Sequence, residues 1–129
     1  MSKTLMDYVN AAREAVSHLG CDQLQDFLET KPDLLVVDVR EESEYAAGHI
    51  PGAILVPRGI LEGAADLNYG KRDQILSEAR KRPIVVYCAT GGRSAMAALT
   101  LIEMGYAEVY NLAGGFVNWE ADDLPVESP

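Results

Sequence analysis

Cys88 is one of two cysteines in the 129-residue chain, and the residues that follow it are the ones that could make it react. It closes a short apolar run, Ile84-Val85-Val86-Tyr87, and is followed by Ala89, Thr90, Gly91, Gly92, Arg93 and Ser94. A cysteine attacks as its thiolate, yet a free thiol with a pKa of about 8.5 is mostly protonated at neutral pH. The chain must therefore supply something that favours a negative sulfur. Small residues let a loop curl until its backbone N–H groups converge, forming a nest suited to an anionic sulfur or a bound oxyanion. A helical pattern over 95–104 follows, so the loop also meets the positive end of a helix dipole. Arg93 adds a fixed charge, and Ser94 stands where a helix cap is expected. The alternative is a buried structural cysteine at a strand end, a common fate for this side chain. The Gly-Gly-Arg-Ser continuation favours the reactive reading, because together these residues build an anion cradle.

Such a cysteine needs a strand to deliver it and a helix to start just beyond it. Leu5, Val9, Ala12, Val16 and Leu19 fall on one face of a helix predicted over 4–19 and ended by Gly20. His18 then lies near its C-terminus, a favourable place for a polar or positive group. Asp22 and Gln25 have the spacing of a capping box for a second helix burying Leu24, Phe27 and Leu28. Cys21, just before it, reads as structural; lying close to Cys88, it could instead resolve an oxidised thiol. The run 34–39 is apolar except for Asp38, the pattern of a strand covered on both faces in a parallel sheet. Glu41, Glu42 and Glu44 suit the first turn of a short helix over 41–47, and another strand is expected over 54–56. Residues 63–70 read as irregular chain, and 73–80 as a helix burying Ile75, Leu76 and Ala79. After the Cys88 loop, Ala95, Ala97 and Ala98 permit close packing, Leu99, Ile102 and Met104 supply bulk, and Gly105 ends the helix. A last strand is predicted over 107–110. Alternating strands and helices argue an α/β fold with a mainly parallel sheet.

The length suggests one domain, large enough for a core without disulfide staples. The net charge of −9, from 20 acidic and 11 basic residues, argues against nucleic-acid or anionic-membrane partners, which need basic surface. It does not oppose a small anionic substrate held by a local cradle. No apolar run approaches the ~20 residues of a membrane span, and the N-terminus lacks the apolar centre of a secretory signal. A cytoplasmic protein is therefore expected. Neither metal nor cofactor is expected, since no zinc-like spacing occurs.

The stretch from Cys88 to Ser94 resembles the active-site loop of rhodanese-like sulfurtransferases of the single-domain bacterial kind. Four residues separate Cys88 from Arg93. The related cysteine phosphatases enclose five, a wider bowl that a tetrahedral phosphate needs. Asp38-Val39-Arg40-Glu41, Glu44-Tyr45 and the run from Gly48 to Ala53 resemble the family's other signature. Asn111 to Trp119 is similar to its closing glycine pair and helix, while Asp123 stands where relatives often carry glycine. The resemblance spans 21–126, leaving 1–20 as an N-terminal helix packed on the domain and 127–129 as a tail.

It implies a rhodanese-like fold with a mainly parallel central sheet of about five strands flanked by helices on both faces. It also implies that Cys88 is catalytic, taking sulfane sulfur from thiosulfate or a persulfide and passing it to cyanide or a thiol. The backbone of Ala89, Thr90, Gly91, Gly92 and Arg93, with Ser94, would hold the anionic sulfur. Arg40 matches an arginine that can face the pocket, so it is a candidate substrate-binding residue; the alternative is a salt bridge to Glu44. Arg58 is read as structural, held by Asp38 or Glu62; His49 as turn packing; Trp119 as core. The expected partners are a small anionic sulfur donor and a thiol or cyanide acceptor, with a protein thiol as a further candidate. Two other readings compete: a cysteine-dependent phosphatase or oxyanion reductase, and a persulfide carrier or interaction module.

Overall fold

The computed structural model describes residues 1–129, and its centre is strand β4, Pro83–Tyr87, in which every residue is buried. Successive strand residues face opposite ways, so Ile84 and Val86 enter one core while Val85 and Tyr87 enter another. Both faces of β4 are covered, which explains its continuous apolar sequence. Strand β2 (Leu35–Asp38) pairs with it on one side and β5 (Glu108–Leu112) on the other. Strands β3 (Ile54–Leu55) and β1 (Ser17–Leu19) complete a five-stranded sheet of order β1-β5-β4-β2-β3, with every pairing parallel. This is the α/β architecture expected from the sequence.

Helices α4 (Leu61–Ala65), α5 (Gln74–Ser77) and α6 (Gly92–Glu103) cover one face through Leu61, Ala64, Leu76, Ala97, Ala98 and Leu101. Helices α2 (Cys21–Thr30) and α7 (Gly115–Ala121) cover the other through Leu24, Phe116 and Trp119. Trp119 is a core residue whose indole N–H donates to the Pro125 carbonyl at 2.7 Å. Helix α1 (Leu5–Ala15) packs on α6, where a side chain on Gly92 would touch Val9 at 3.7 Å. The short α3 (Glu42–Ala47) follows β2.

Several local expectations give way. The first helix stops at Ala15, and Ser17–Leu19 becomes a strand paired with β5. Left bare, β5 would present an open edge of unpaired backbone groups, and three residues of β1 satisfy it. Leu19 is buried, as a helix would also have made it, whereas Leu5 is exposed. His18 sits in an edge strand rather than in the helix, yet its Nε2 still meets the C-terminal turn of α1, 2.8 Å from the Arg13 carbonyl. Gly20 begins α2 rather than ending α1, and Gln23 accepts from its N–H at 2.8 Å, so the cap precedes the Asp22–Gln25 pair. Residues 61–65 form a helix inside a region read partly as irregular, and α5 spans only four residues. Asp73 caps α5 through the Leu76 N–H, while Ile75 faces solvent. In α6 Leu101 is the fully buried bulky residue, Leu99 and Met104 pack against the same core, and Ile102 is exposed. Asp123 adopts φ +55°, so the left-handed turn persists without glycine; aspartate tolerates this region better than most side chains.

Asp38 is wholly buried at the end of β2, and Arg40 is almost as buried beside it. Arg40 donates from Nε and Nη2 to the Asp38 carboxylate at 2.8–3.1 Å and from Nη2 to the Gly48 carbonyl at 2.7 Å. Its guanidinium lies 4.4 Å from the Phe116 ring centroid, tying β2, the 48 turn and α7 together. Removing one partner of a buried ion pair strands the other charge. Asp38→Ala is therefore expected to lower the unfolding free energy by about 3–5 kcal/mol in urea denaturation. A loss under about 1 kcal/mol, the size of an exposed pair, would show that Arg40 does not depend on it.

Candidate active site

Cys88 immediately follows β4, at the carboxyl end of the central strand, where open α/β sheets bind ligands. Its Sγ accepts from the Gly91 N–H at 3.1 Å and the Ser94 N–H at 3.4 Å, with the Ser94 hydroxyl at 3.3 Å. Gly91 makes this possible. Its φ of +99° closes the loop and makes it the cap residue of α6. Ser94 is thus the third residue of the helix, not its cap, and sulfur takes up N–H groups that a first helical turn leaves free.

The loop is held from outside by the start of α7. The Phe116 N–H donates to the Cys88 carbonyl at 2.9 Å, and the Val117 N–H to the Ala89 carbonyl at 3.0 Å. Those two bonds fix the loop backbone, whose N–H groups at Gly91 and Ser94 point to the sulfur. Gly115 has φ +60°, and a Cβ there would stand 2.5 Å from the Ala89 carbonyl oxygen and 2.6 Å from that of Cys88. The second glycine of the pair is therefore required by contact with the Cys88 loop.

Burial opposes charge on Cys88, but the Ser94 hydroxyl and the N–H groups of Ser94, Gly91 and Thr90 outweigh it, and the thiol falls below its ordinary value of 9.0. Cys21 moves the other way, raised by burial and by the nearby carboxylates of Asp122 and Asp22. The two free thiols pack in cores on opposite faces of the sheet, so Cys21 remains a structural residue.

Arg93 turns from the loop to Glu44 on α3, with Nη1 and Nη2 donating to its two oxygens at 2.9 and 3.1 Å. Glu44 also accepts from the Glu41 N–H at 3.0 Å. The salt bridge to Glu44, the alternative reading of Arg40, does not form; Arg40 pairs with Asp38 and Arg93 with Glu44. Arg40 thus directs its donors to Asp38 and Gly48. Arg58 pairs with Glu62 at 3.0 Å and approaches Thr100. His49 stacks on Tyr45 and donates from Nδ1 to its carbonyl at 2.9 Å, a turn-packing role.

The sequence reading missed Glu44, His18 and Asn111 as parts of the site. Glu44 reads in the sequence as a first-turn acid of α3 and a candidate partner of Arg40, not of Arg93. Asn111 lies 2.5 Å from the Ser94 hydroxyl and reaches His18 across the β1–β5 ladder. That link required β1 to be recognised as a strand.

Residues 21–122 match the family "Rhodanese-like domain". The chain belongs to the rhodanese-like domain family. It is 33% identical over 115 residues to a sulfurtransferase of Allochromatium vinosum, covering 88% of this chain and 97% of that one. It is also 33% identical over 107 residues to the thiosulfate sulfurtransferase GlpE of Pseudoalteromonas translucida, covering 83% and 91%. Among solved structures, a Rhodopseudomonas palustris protein, called a "possible tyrosine phosphatase", superposes with a TM-score of 0.90 at 29% identity, covering 98% of this chain and 96% of that one. The rhodanese-like loop here has four residues between Cys88 and Arg93.

Hydrogen bonds from Arg93, reinforced by Glu41 and opposed by burial, hold Glu44 down from 4.5 to about 2. A carboxylate depressed in the folded state adds stability above its unfolded pKa and loses it as pH falls through the folded one. The Glu44 contribution should therefore be complete above 4.5 and disappear as pH falls towards about 2. Urea midpoints of the wild type and Glu44→Gln should differ near neutrality and converge over that acid range. Curves that stay parallel would deny the pair a stabilising role.

Proposed function

We propose that this rhodanese-like chain is a sulfurtransferase that carries sulfane sulfur as a Cys88 persulfide. The observation carrying this reading is a buried cysteine sulfur met by three donors at the end of the central strand. The Cys88 thiolate attacks the outer sulfur of thiosulfate; the sulfur–sulfur bond breaks and sulfite leaves with its electron pair. The outer sulfur of the resulting persulfide carries the negative charge, and the loop N–H groups are preorganised to hold it. Cyanide or a thiolate acceptor then attacks that outer sulfur, and Cys88 leaves as thiolate. A persulfide donor enters the same cycle, releasing a thiol in place of sulfite.

Arg93 is the cation coupled to the Cys88 charge, which supports it rather than Arg40 as the positive group nearest an anionic donor. The donors of Arg40 are taken up by Asp38 and Gly48. The names of the Allochromatium and Pseudoalteromonas relatives favour sulfur transfer, and the second favours thiosulfate as donor. No helix is long and apolar enough to cross a membrane. A reducing cytoplasm suits a mechanism that needs free thiols, the state of both cysteines here.

The Rhodopseudomonas structure keeps a phosphatase reading in view, and the four-residue loop weighs against it. Initial rates with thiosulfate and cyanide varied together separate the two. A covalent intermediate predicts parallel double-reciprocal lines, since sulfite departs before the acceptor binds. Cys88→Ser should reduce turnover by at least about a thousandfold, and an aryl phosphate should not be hydrolysed. Intersecting lines, or phosphate release lost in Cys88→Ser, would reverse the assignment.

A further inference from the structure

His18 and Asn111 stand opposite each other in the β1–β5 ladder, and Asn111 is also opposite Val86, two residues before Cys88. His18 Nε2 lies 2.8 Å from the Arg13 carbonyl. A carbonyl can only accept, so Nε2 carries a proton, and in the imidazole tautomer with that proton Nδ1 is an acceptor. Asn111 Nδ2 faces that Nδ1 and the Gly91 carbonyl, each at 3.3 Å. Two acceptors on one side fix the amide orientation, because its two donor hydrogens must point there. Asn111 Oδ1 is left facing the Ser94 oxygen at 2.5 Å.

Oδ1 has no proton to give, so Ser94 donates. The same hydroxyl lies 3.3 Å from Cys88 Sγ. A serine has one proton and cannot serve both acceptors. Ser94, Asn111 and Cys88 are all at most 1% exposed, so water is not available to satisfy the one left over.

We propose that Asn111, oriented by His18, is a positioning residue that competes with Cys88 for the single hydroxyl proton of Ser94. The inference rests on Cys88 being the nucleophile. In the free enzyme Sγ is the negative atom and draws the proton. In the persulfide the charge sits on the outer sulfur, Sγ is a neutral bridging atom, and the proton turns back to Asn111. The proton never leaves Ser94; only the hydroxyl direction changes. The competition tunes both half-reactions in opposite senses. A more stable thiolate leaves faster when sulfur is handed on, but attacks the donor less well. His18 fixes this balance from the edge strand, one residue beyond the two acceptors.

The charged groups around Cys88 are Arg93 on α6 and its partner Glu44 on α3. Arg13 on α1 shares a cavity wall with His18, Thr90 and Asn111. All three charged residues stay in place in the variants that follow. The Cys88 thiolate is titrated by its ultraviolet absorbance, as a difference from Cys88→Ser in the same background, which cancels Cys21. Asn111→Leu, close in volume, is expected to lower the midpoint and give roughly three- to tenfold more thiolate at a fixed pH below it. Ser94→Ala should raise the midpoint, and in that background Asn111→Leu should have no effect. His18→Leu, at an exposed position, should act in the direction of Asn111→Leu but less strongly. His18→Asn, whose Oδ1 can stand in for Nδ1, should restore the wild-type curve.

An unchanged or raised midpoint in Asn111→Leu and His18→Leu would overturn the proposal. So would an Asn111 effect that persists without the Ser94 hydroxyl. Should Asn111→Leu not fold, the two His18 variants decide the matter. The titration involves no donor or acceptor, so its outcome is separate from whether the chain transfers sulfur.

Discussion

A negative sulfur inside a protein is costly unless donors replace the water it has lost, and burial alone would keep Cys88 protonated. The rest of the molecule can be understood as meeting that requirement. The central strand carries the thiol out of solvent, and the same chain then turns at once to offer N–H groups from the loop and the first turn of α6. Those donors come from the backbone, so they are fixed before any substrate arrives. That is the condition under which hydrogen bonds contribute most to a charged intermediate. The acidic net charge of the chain is no obstacle, because the field at the sulfur is set within a few ångströms.

A loop of small residues would not hold this shape alone. The first turn of α7 engages the carbonyls of Cys88 and Ala89 from behind, and only glycine at 115 allows the approach. Two arginine–carboxylate pairs tie down the neighbourhood at different depths. Asp38 and Arg40 are buried and join β2 to the turn at Gly48. Arg93 and Glu44 are partly exposed and join the loop's own helix to α3.

The parts of this arrangement that are local in sequence were legible in it. Continuous apolar runs identified β2 and β4, because a strand covered on both faces has no polar side to alternate with. The cysteine, the glycines and the following helix identified the loop, because turn chemistry and helix starts depend on neighbours in the chain. The features that escaped depend on residues far apart. Val16 to Leu19 fits a helical face as well as a strand, and the open edge of β5 decides between them. Ser94 has the chemistry of a cap, and the left-handed turn at Gly91 moves it into the helix. Arg40 and Glu44 have the spacing of a pair, yet a buried aspartate two residues away offers Arg40 a fixed bidentate partner. The Asn111 and His18 side chains met Ser94 only once the sheet had been assembled.

Covalent attachment of sulfur to Cys88 is read most simply from the intact mass. The protein is incubated with thiosulfate, freed of excess donor and weighed. A covalent persulfide gives a gain of one sulfur atom, about 32 mass units, removed by cyanide and absent in Cys88→Ser. A protein that turns over thiosulfate while its mass stays unchanged, or an adduct that survives in Cys88→Ser, would contradict it.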